Sequence, residues 1–589
     1  MCKKYLFYSA FVLLSFMVTA CKGGKGDDKV YKDQVVVHEL SDAEGLNPIT
    51  TSDVSATSIK RYIYQSLLEY DFVTLKMVPL LAKSLPEVKN TGSGMEVTYE
   101  IRPEATWDNG TPITAEDFVF SLKLAKVPKV TNEHLKPYVE FISDIRTYPD
   151  NPRKLTFVCN EVYMLATDVT GSITAIPEYI FDPNKVLRKY TLASLQKPTA
   201  GIENDKDLAA FADTFNSEPF NRDADKIIGS GPYKFVSWAT GERVILERKK
   251  DWWGDKVPEN ERNVHFNAFP KRLVFETIND FNVALTALKD GKLDVILVTP
   301  VKEYMDLDKS DKFKANFNKY EPLMLSYQYI GLNQRNPLLA DVKVRQALAH
   351  LTDVDQIIDK VLYGKGKRIL GDVYPMYQED YNTELAFKEF DIELAKKLLT
   401  EAGWTDSDGN GIIDKVINGQ KKEMSLTYTF NQGNPLRETV GLMIQQTFQK
   451  AGIKLEVKSL EWSIYLDELK KGNIQMFYGG WVSDPRPNDP KQIWGTESRN
   501  GGSNYVGFGT AETDALIENI RKEIDAKKRS ELYKQWQKVT YDDASYIFLY
   551  QQAFRNCIHK RFENIQESSY YPGYHLGSFK VKKGYKLAE

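Results

Sequence analysis

Cysteine and histidine are scarce in this chain: four of the first and six of the second among 589 residues. Cys2 and Cys21 lie in the N-terminal segment, so Cys159 and Cys557 alone remain for the rest, and a disulfide framework cannot hold up so large a fold. They can pair or stand as separate buried thiols. The six histidines are scattered, none pairs with another at helical ligand spacing, and His38-Glu39 lacks the second histidine of a zinc hydrolase motif. A Gly-x-Ser-x-Gly elbow and a phosphate-binding Gly-x-x-x-x-Gly-Lys-Ser/Thr loop are both missing, and Gly229-Ser230-Gly231 runs into Pro232-Tyr233 rather than into a helix. Hydrolase and ATPase chemistry lose their usual signatures. An excess of positive charge is missing too: 78 Lys plus Arg face 81 Asp plus Glu, a net −3, which gives no field for holding nucleic acid. Solenoid-length repeats and long low-complexity tracts do not occur.

What is present is an ordinary globular balance, 42% hydrophobic and 27% charged, at a length that allows about four domains of ~150 residues. Aromatic residues are plentiful, with 33 Tyr and 9 Trp, the composition of wide, partly wet stacking surfaces. At the N-terminus Lys3 and Lys4 precede an apolar run from Tyr5 to Val18, too short to span a bilayer but right for a secretory leader. It ends in Val18-Thr19-Ala20-Cys21, which resembles a bacterial lipobox and so implies removal of residues 1–20 and lipidation at Cys21. Residues 21–33 read as the lipidated cysteine and a polar, glycine-bearing tether.

One stretch has the form of a metal loop. Asp406, Asp408, Asn410 and Asp414 stand at positions 1, 3, 5 and 9 of a calcium-loop pattern with Gly411 at 6, but Ile417 occupies position 12, where a bidentate Glu belongs. A rigid turn closed by Asx side chains needs the same residues. Neither a metal nor a cofactor is otherwise called for.

The clearest architecture lies between Ser425 and Asp484. Leu426, Tyr428 and Phe430 alternate as in a strand; Val440, Met443, Ile444, Thr447 and Phe448 form a helical stripe that Gly452 stops. Ile453, Leu455 and Val457 predict a second strand, Trp462 to Lys471 a second helix and Ile474 to Tyr478 a third strand. That order predicts a parallel βαβαβ unit, whose ligands bind beyond the carboxyl ends of the strands. Gly479-Gly480-Trp481-Val482-Ser483-Asp484 follows the third strand. The glycines are expected to admit a ligand or backbone, Trp481 to supply a flat wall and Asp484 a carboxylate.

Several segments together resemble the family 5 extracellular solute-binding proteins, the peptide-binding components of ABC importers. They are Val78-Pro79-Leu80-Leu81-Ala82, the run from Ile101 to Phe118 through Trp107-Asp108-Asn109-Gly110-Thr111-Pro112, Gly229-Ser230-Gly231-Pro232-Tyr233 with Trp252-Trp253-Gly254, Leu288-Lys289-Asp290-Gly291-Lys292-Leu293-Asp294, and Val344-Arg345-Gln346-Ala347-Leu348. Physically, Asp108-Asn109-Gly110 is a tight turn, and Thr114 with Asp117 a capping box that opens a helix.

The resemblance implies an α/β, two-lobed fold of the type II periplasmic-binding-protein class, with mixed sheets and a hinge of two crossings. It places one lobe at 34–325 plus 548–589, with an insertion near 86–221, and the other at 326–547. It implies a monomeric, lipid-anchored envelope protein facing the periplasm or exterior, which hands di- to oligopeptides to ABC-transporter permease subunits without breaking a bond. Asp484, behind Trp481, matches the family's partner for a peptide α-ammonium; looser cleft candidates are Tyr478, Arg437, Tyr138 and Val54. Relatives that bind nickel chelates, sugars or opines leave another solute as the alternative, with a lipoprotein peptidase behind it. The chain departs from many relatives at Leu351-Thr352-Asp353, at Val482 and at Tyr478, so their peptide-length preferences do not transfer.

Overall fold

The computed structural model describes residues 33–584 apart from 133, 197–199, 298–299, 486–487 and 501. The leader 1–20, Cys21 and nearly all of the tether lie outside the described residues. Among those described, no helix is long and apolar enough to cross a membrane.

Two large mixed sheets organise a two-lobed α/β fold. The seven-stranded sheet runs in the order Phe317–Tyr320, Asn556–His559, Val295–Ile296, Gln34–Glu39, Arg272–Thr277, Arg243–Arg248, Tyr233–Ala239. A four-stranded antiparallel sheet of Glu87–Asn90, Met95–Glu100, Lys154–Cys159 and Ile142–Thr147 shares its core: Val35 and Val37 belong to the same buried cluster as Val97, Tyr99 and Phe157. The six-stranded sheet, in the order Gly366–Arg368, Tyr546–Gln552, Ser326–Leu332, Met476–Val482, Ser425–Asn431, Lys454–Leu460, has a separate core on each face.

Among the described residues, two segments join the two large sheets, and they run side by side. One leads from Phe317–Tyr320 to Ser326–Leu332, the other from Tyr546–Gln552 to Asn556–His559. Leu323 and Ala553 form an antiparallel bridge between them, Met324 N–H donates to the Gln552 carbonyl at 2.9 Å, and Phe554 N–H donates to the Pro322 carbonyl at 2.8 Å. The strand through 548 pairs within the six-stranded sheet, so the return crossing falls at 553–555.

The βαβαβ unit is parallel, as its pattern predicts: Leu426 pairs with Leu455, Tyr428 with Val457, and Tyr428 with Met476. Helix Pro435–Gln449 buries Val440, Ile444 and Phe448, and Gly452 at φ +74° takes the left-handed conformation that ends the turn. The third strand is Met476–Val482, which corrects the expected Ile474 to Tyr478. Its extension has a cause: the strand pairs antiparallel with Ser326–Leu332 along its whole length. Gly479 and Gly480 therefore lie inside the sheet. A Cβ at Gly479 would come within 2.3 Å of the Tyr329 ring and one at Gly480 within 2.5 Å of the Gln328 amide. They make room for cross-strand neighbours rather than for a ligand.

The diagnostic segments hold the first lobe together. Thr114 N–H donates to Asp117 Oδ2 at 2.8 Å, which opens helix Ala115–Leu124, and Trp107 Nε1 donates to the same carboxyl group at 3.3 Å. The Ser230 carbonyl accepts both Trp252 Nε1 and Trp253 Nε1 at 2.9 Å, which ties the glycine-bearing motif to the tryptophan-bearing one. Cys159 and Cys557 are buried in different sheets and form no disulfide with one another.

The loop at 406–414 is a turn closed by its own side chains. Asp406 accepts from the amides of Gly409 (2.8 Å), Asn410 (3.1 Å) and Gly411 (2.9 Å), and Asn410 Oδ1 accepts from Ile412 N–H at 2.8 Å. Carboxylate oxygens of Asp406, Asp408 and Asp414 gather within 4.8 Å of one another, but Lys421 Nζ lies 2.6 Å from Asp408 and 3.2 Å from Asp414. An ammonium of the chain itself supplies the positive charge there.

Candidate functional site

A cavity of about 1100 Å³ opens between the four-stranded-sheet region and the six-stranded sheet. It exceeds the ~300–1,000 Å³ of ordinary small-molecule pockets. One wall comes from His134 to Phe141 and from Asn160 to Leu165, the other from Trp481 to Asp484 and from Asn488 to Ser498. The floor on the second lobe follows from strand alternation. Phe477 and Trp481 project toward one core of the six-stranded sheet, Met476 and Tyr478 toward the other. Tyr327 is the antiparallel partner of Trp481, so their side chains share the cavity face. Trp481 is steadied by an offset stack on Tyr505, with centroids 6.5 Å apart and planes at 15°.

The two walls touch at a four-residue contact. Tyr163 O–H from the first lobe donates to Asp489 Oδ2 at 3.0 Å, Arg521 Nε donates to the same oxygen at 2.9 Å, and Met164 N–H donates to the Arg521 carbonyl at 2.7 Å. The Arg521 guanidinium also lies 5.1 Å from the Tyr163 ring centre. Burial works against its charge, but Asp489 beside it wins and raises its pKa. Deeper in, Asp372 is 3% exposed; burial raises its carboxyl pKa, against hydrogen bonds from Trp494 Nε1 (3.1 Å) and Trp536 Nε1 (3.5 Å). Described carboxylates outnumber cations in the lining: Glu140, Glu161, Asp372, Asp484, Asp489 and Glu497 stand against Lys491 and Arg521. Of these, Asp489 is paired with Arg521, and Glu497 with Lys491 at 3.2 Å.

Of the sequence candidates, Asp484, Trp481 and Tyr138 line this cavity, Asp484 as an exposed carboxylate on the second wall and Tyr138 opposite it, about half exposed. Tyr478, Arg437 and Val54 are not among its described lining. Tyr478 is 1% exposed, on the far face of its strand, with its hydroxyl 2.6 Å from that of Tyr550. Arg437 lies in the first turn of Pro435–Gln449, where it donates to Asn431 Oδ1 at 2.7 Å and rests its guanidinium 4.8 Å from the Tyr478 ring centre. Val54 opens helix Val54–Lys60 behind the N-cap Asp53 and is 61% exposed. Sequence reading missed Asp372, Tyr327, Tyr163, Asp489 and Arg521. Asp489 alone carried a signal, the Asp-Pro step five residues past Asp484; the others reach the cavity by tertiary packing.

Residues 76–504 match the family described as bacterial extracellular solute-binding proteins, family 5 middle. The chain is 27% identical over 580 residues to the oligopeptide-binding protein AppA of Bacillus subtilis, covering 96% of this chain and 95% of that protein. The structure of that protein in complex with a nonapeptide superimposes with a TM-score of 0.68 at 25% identity, over 93% of this chain and 99% of that one. NikZ from Campylobacter jejuni, in complex with Ni(L-His), has the same fold at 22% identity and a TM-score of 0.66, over 91% of this chain and 95% of that one.

Proposed function

Because this chain belongs to the bacterial extracellular solute-binding proteins of family 5, we propose that it captures di- to oligopeptides in the interlobe cavity and delivers them intact to an ABC importer. The observation that carries this reading is the cavity itself: about 1100 Å³, lined from both lobes by aromatic rings and carboxylates. An extended peptide uses such a space through main-chain hydrogen bonds, while its side chains sit in hydrated pockets, so sequence selectivity is weak. The match to an oligopeptide-binding protein along nearly its whole length supports peptide over nickel chelate, sugar or opine.

Capture works by closure about the paired crossings at 321–325 and 553–555. A ligand that touches both walls has differential affinity for the closed arrangement, and the Tyr163–Asp489–Arg521 contact adds to it. In this reading one lobe is 34–325 with the C-terminal segment and the other is 326 to the return crossing, with 86–221 as an insertion. Asp484 receives the α-ammonium, Trp481 and Tyr138 flank the peptide, and binding and release replace any chemical step. The mature protein works as a monomer held to the envelope by a lipid on Cys21. Native mass spectrometry of the purified protein with a mixed peptide library tests capture: intact peptide adducts are expected, and fragments or bare protein contradict it. Fatty-acid labelling tests the anchor. It is expected to vanish in Cys21→Ser, and persistence in that variant contradicts the lipobox.

A further inference from the structure

Asp372 sits at the floor of the cavity with half of its carboxylate unanswered. Trp494 and Trp536 both donate to Oδ2, and Asn488 Nδ2 donates to its main-chain carbonyl, but Oδ1 has no hydrogen-bond partner among the described residues. No lysine or arginine among the described residues pairs with it. Beside it the Tyr327 hydroxyl, on a residue 1% exposed, also has no partner among the described residues, and Tyr327 and Trp481 line the same space. A buried carboxylate without a counter-charge costs free energy unless something completes it. An indole-anchored carboxylate next to aromatic faces is suited to a cation, which gains from both the ion pair and the ring quadrupoles.

Resting on the peptide reading above, we propose that Asp372, with Tyr327 and Trp481, forms a second cation subsite that takes the ammonium or guanidinium of a basic side chain of the ligand. Depth separates it from Asp484. The latter is exposed on the cavity wall, within reach of a main-chain α-ammonium, whereas Asp372 is 3% exposed and calls for a long side chain whose methylene stem packs against Tyr327 and Trp481 while its charged tip reaches Oδ1. Glu140 and Glu161 on the opposite wall give the entering cation a favourable field. The cavity therefore prefers basic peptides.

Calorimetry with alanine tetrapeptides carrying one lysine at each position in turn, and the same peptides with norleucine in place of lysine, tests this. The best lysine peptide is expected to bind more tightly than its norleucine twin. Asp372→Asn, which keeps an acceptor for the two indoles, is expected to cost that peptide roughly a hundredfold while leaving norleucine peptides nearly unchanged. Equal losses for both series, or no lysine preference in the parent, overturns the proposal. Where Asp372→Asn does not fold by its melting curve, Tyr327→Phe decides: a loss confined to lysine peptides supports the subsite, and an equal loss or none overturns it. If the parent binds no tetrapeptide of either series, the peptide reading has failed on its own, and cadaverine reads the subsite separately. Cadaverine binding that weakens in either variant supports it, and absence of binding to the parent overturns it.

Discussion

At the loop 406–414, Asp406 uses both carboxylate oxygens on three loop amides, and Lys421 supplies a cation to Asp408 and Asp414. At the cavity floor, Asp372 uses one oxygen on two indoles and leaves the other unanswered, with no lysine or arginine of the described chain paired to it. Acidic residues crowd both places, yet the protein answers the carboxylates of the first and leaves one buried oxygen of the second without a described partner. Clustered charge on a surface loop is readily answered by a neighbouring side chain, so the acceptor left without a hydrogen bond beside a cavity is the stronger candidate for a binding position.

Substitutions at four positions separate the loop from the cavity floor, in falling order of expected effect. The largest effect is expected at Asp372, where Asn substitution costs basic peptides roughly a hundredfold because a desolvated cation loses its partner. Next comes Asp484. Its exposure puts the ion pair in wetter surroundings, and loss of one charge-assisted hydrogen bond there predicts that Asp484→Asn weakens free peptides by roughly tenfold or more. N-acetylated peptides are expected to bind poorly to the parent and to lose little more in the variant, so equal losses would reduce Asp484 to a loop-shaping residue. Smaller again is Tyr163→Phe, which removes one of the two described donors to Asp489 Oδ2 across the cleft. It is expected to raise peptide dissociation rates roughly three- to tenfold, read by stopped-flow fluorescence, with the free protein's melting little changed. The smallest effect is at Lys421. Lys421→Met is expected to lower the melting temperature slightly by leaving Asp408 and Asp414 facing one another, and calcium is expected to leave the parent's melting curve in place. A clear upward shift of the parent by calcium would erase the distinction drawn between loop and cleft.

Legibility in the sequence followed the range of the interactions. The βαβαβ unit is readable because its signal is local: a period-2 pattern at Leu426, Tyr428 and Phe430, a helical stripe ending at Gly452, and a helical segment Trp462–Lys471. Its third strand was misjudged at both ends, because pairing with Ser326–Leu332, some 150 residues earlier in the chain, carries it through Gly479 and Gly480 to Val482. Asp484 and Trp481, which line the cavity, are legible from a strand end and a family motif. Tyr478 is a cleft candidate only through the family resemblance; in a continuous strand, alternation sends its ring to the opposite core. Asp372 follows Gly371 with no motif around it, and its partners Trp494 and Trp536 lie more than a hundred residues away, so only packing reveals it.

In the proposed mode of binding, one cavity reads a peptide's α-ammonium and a basic side chain at two different carboxylates. A crossed calorimetric titration tests it most directly: a lysine-bearing tetrapeptide, its N-acetyl form and its norleucine form, each against the parent, Asp484→Asn and Asp372→Asn. The account predicts that sensitivity to acetylation disappears only in Asp484→Asn and that preference for lysine over norleucine disappears only in Asp372→Asn. Identical losses for all three peptides in both variants would contradict it.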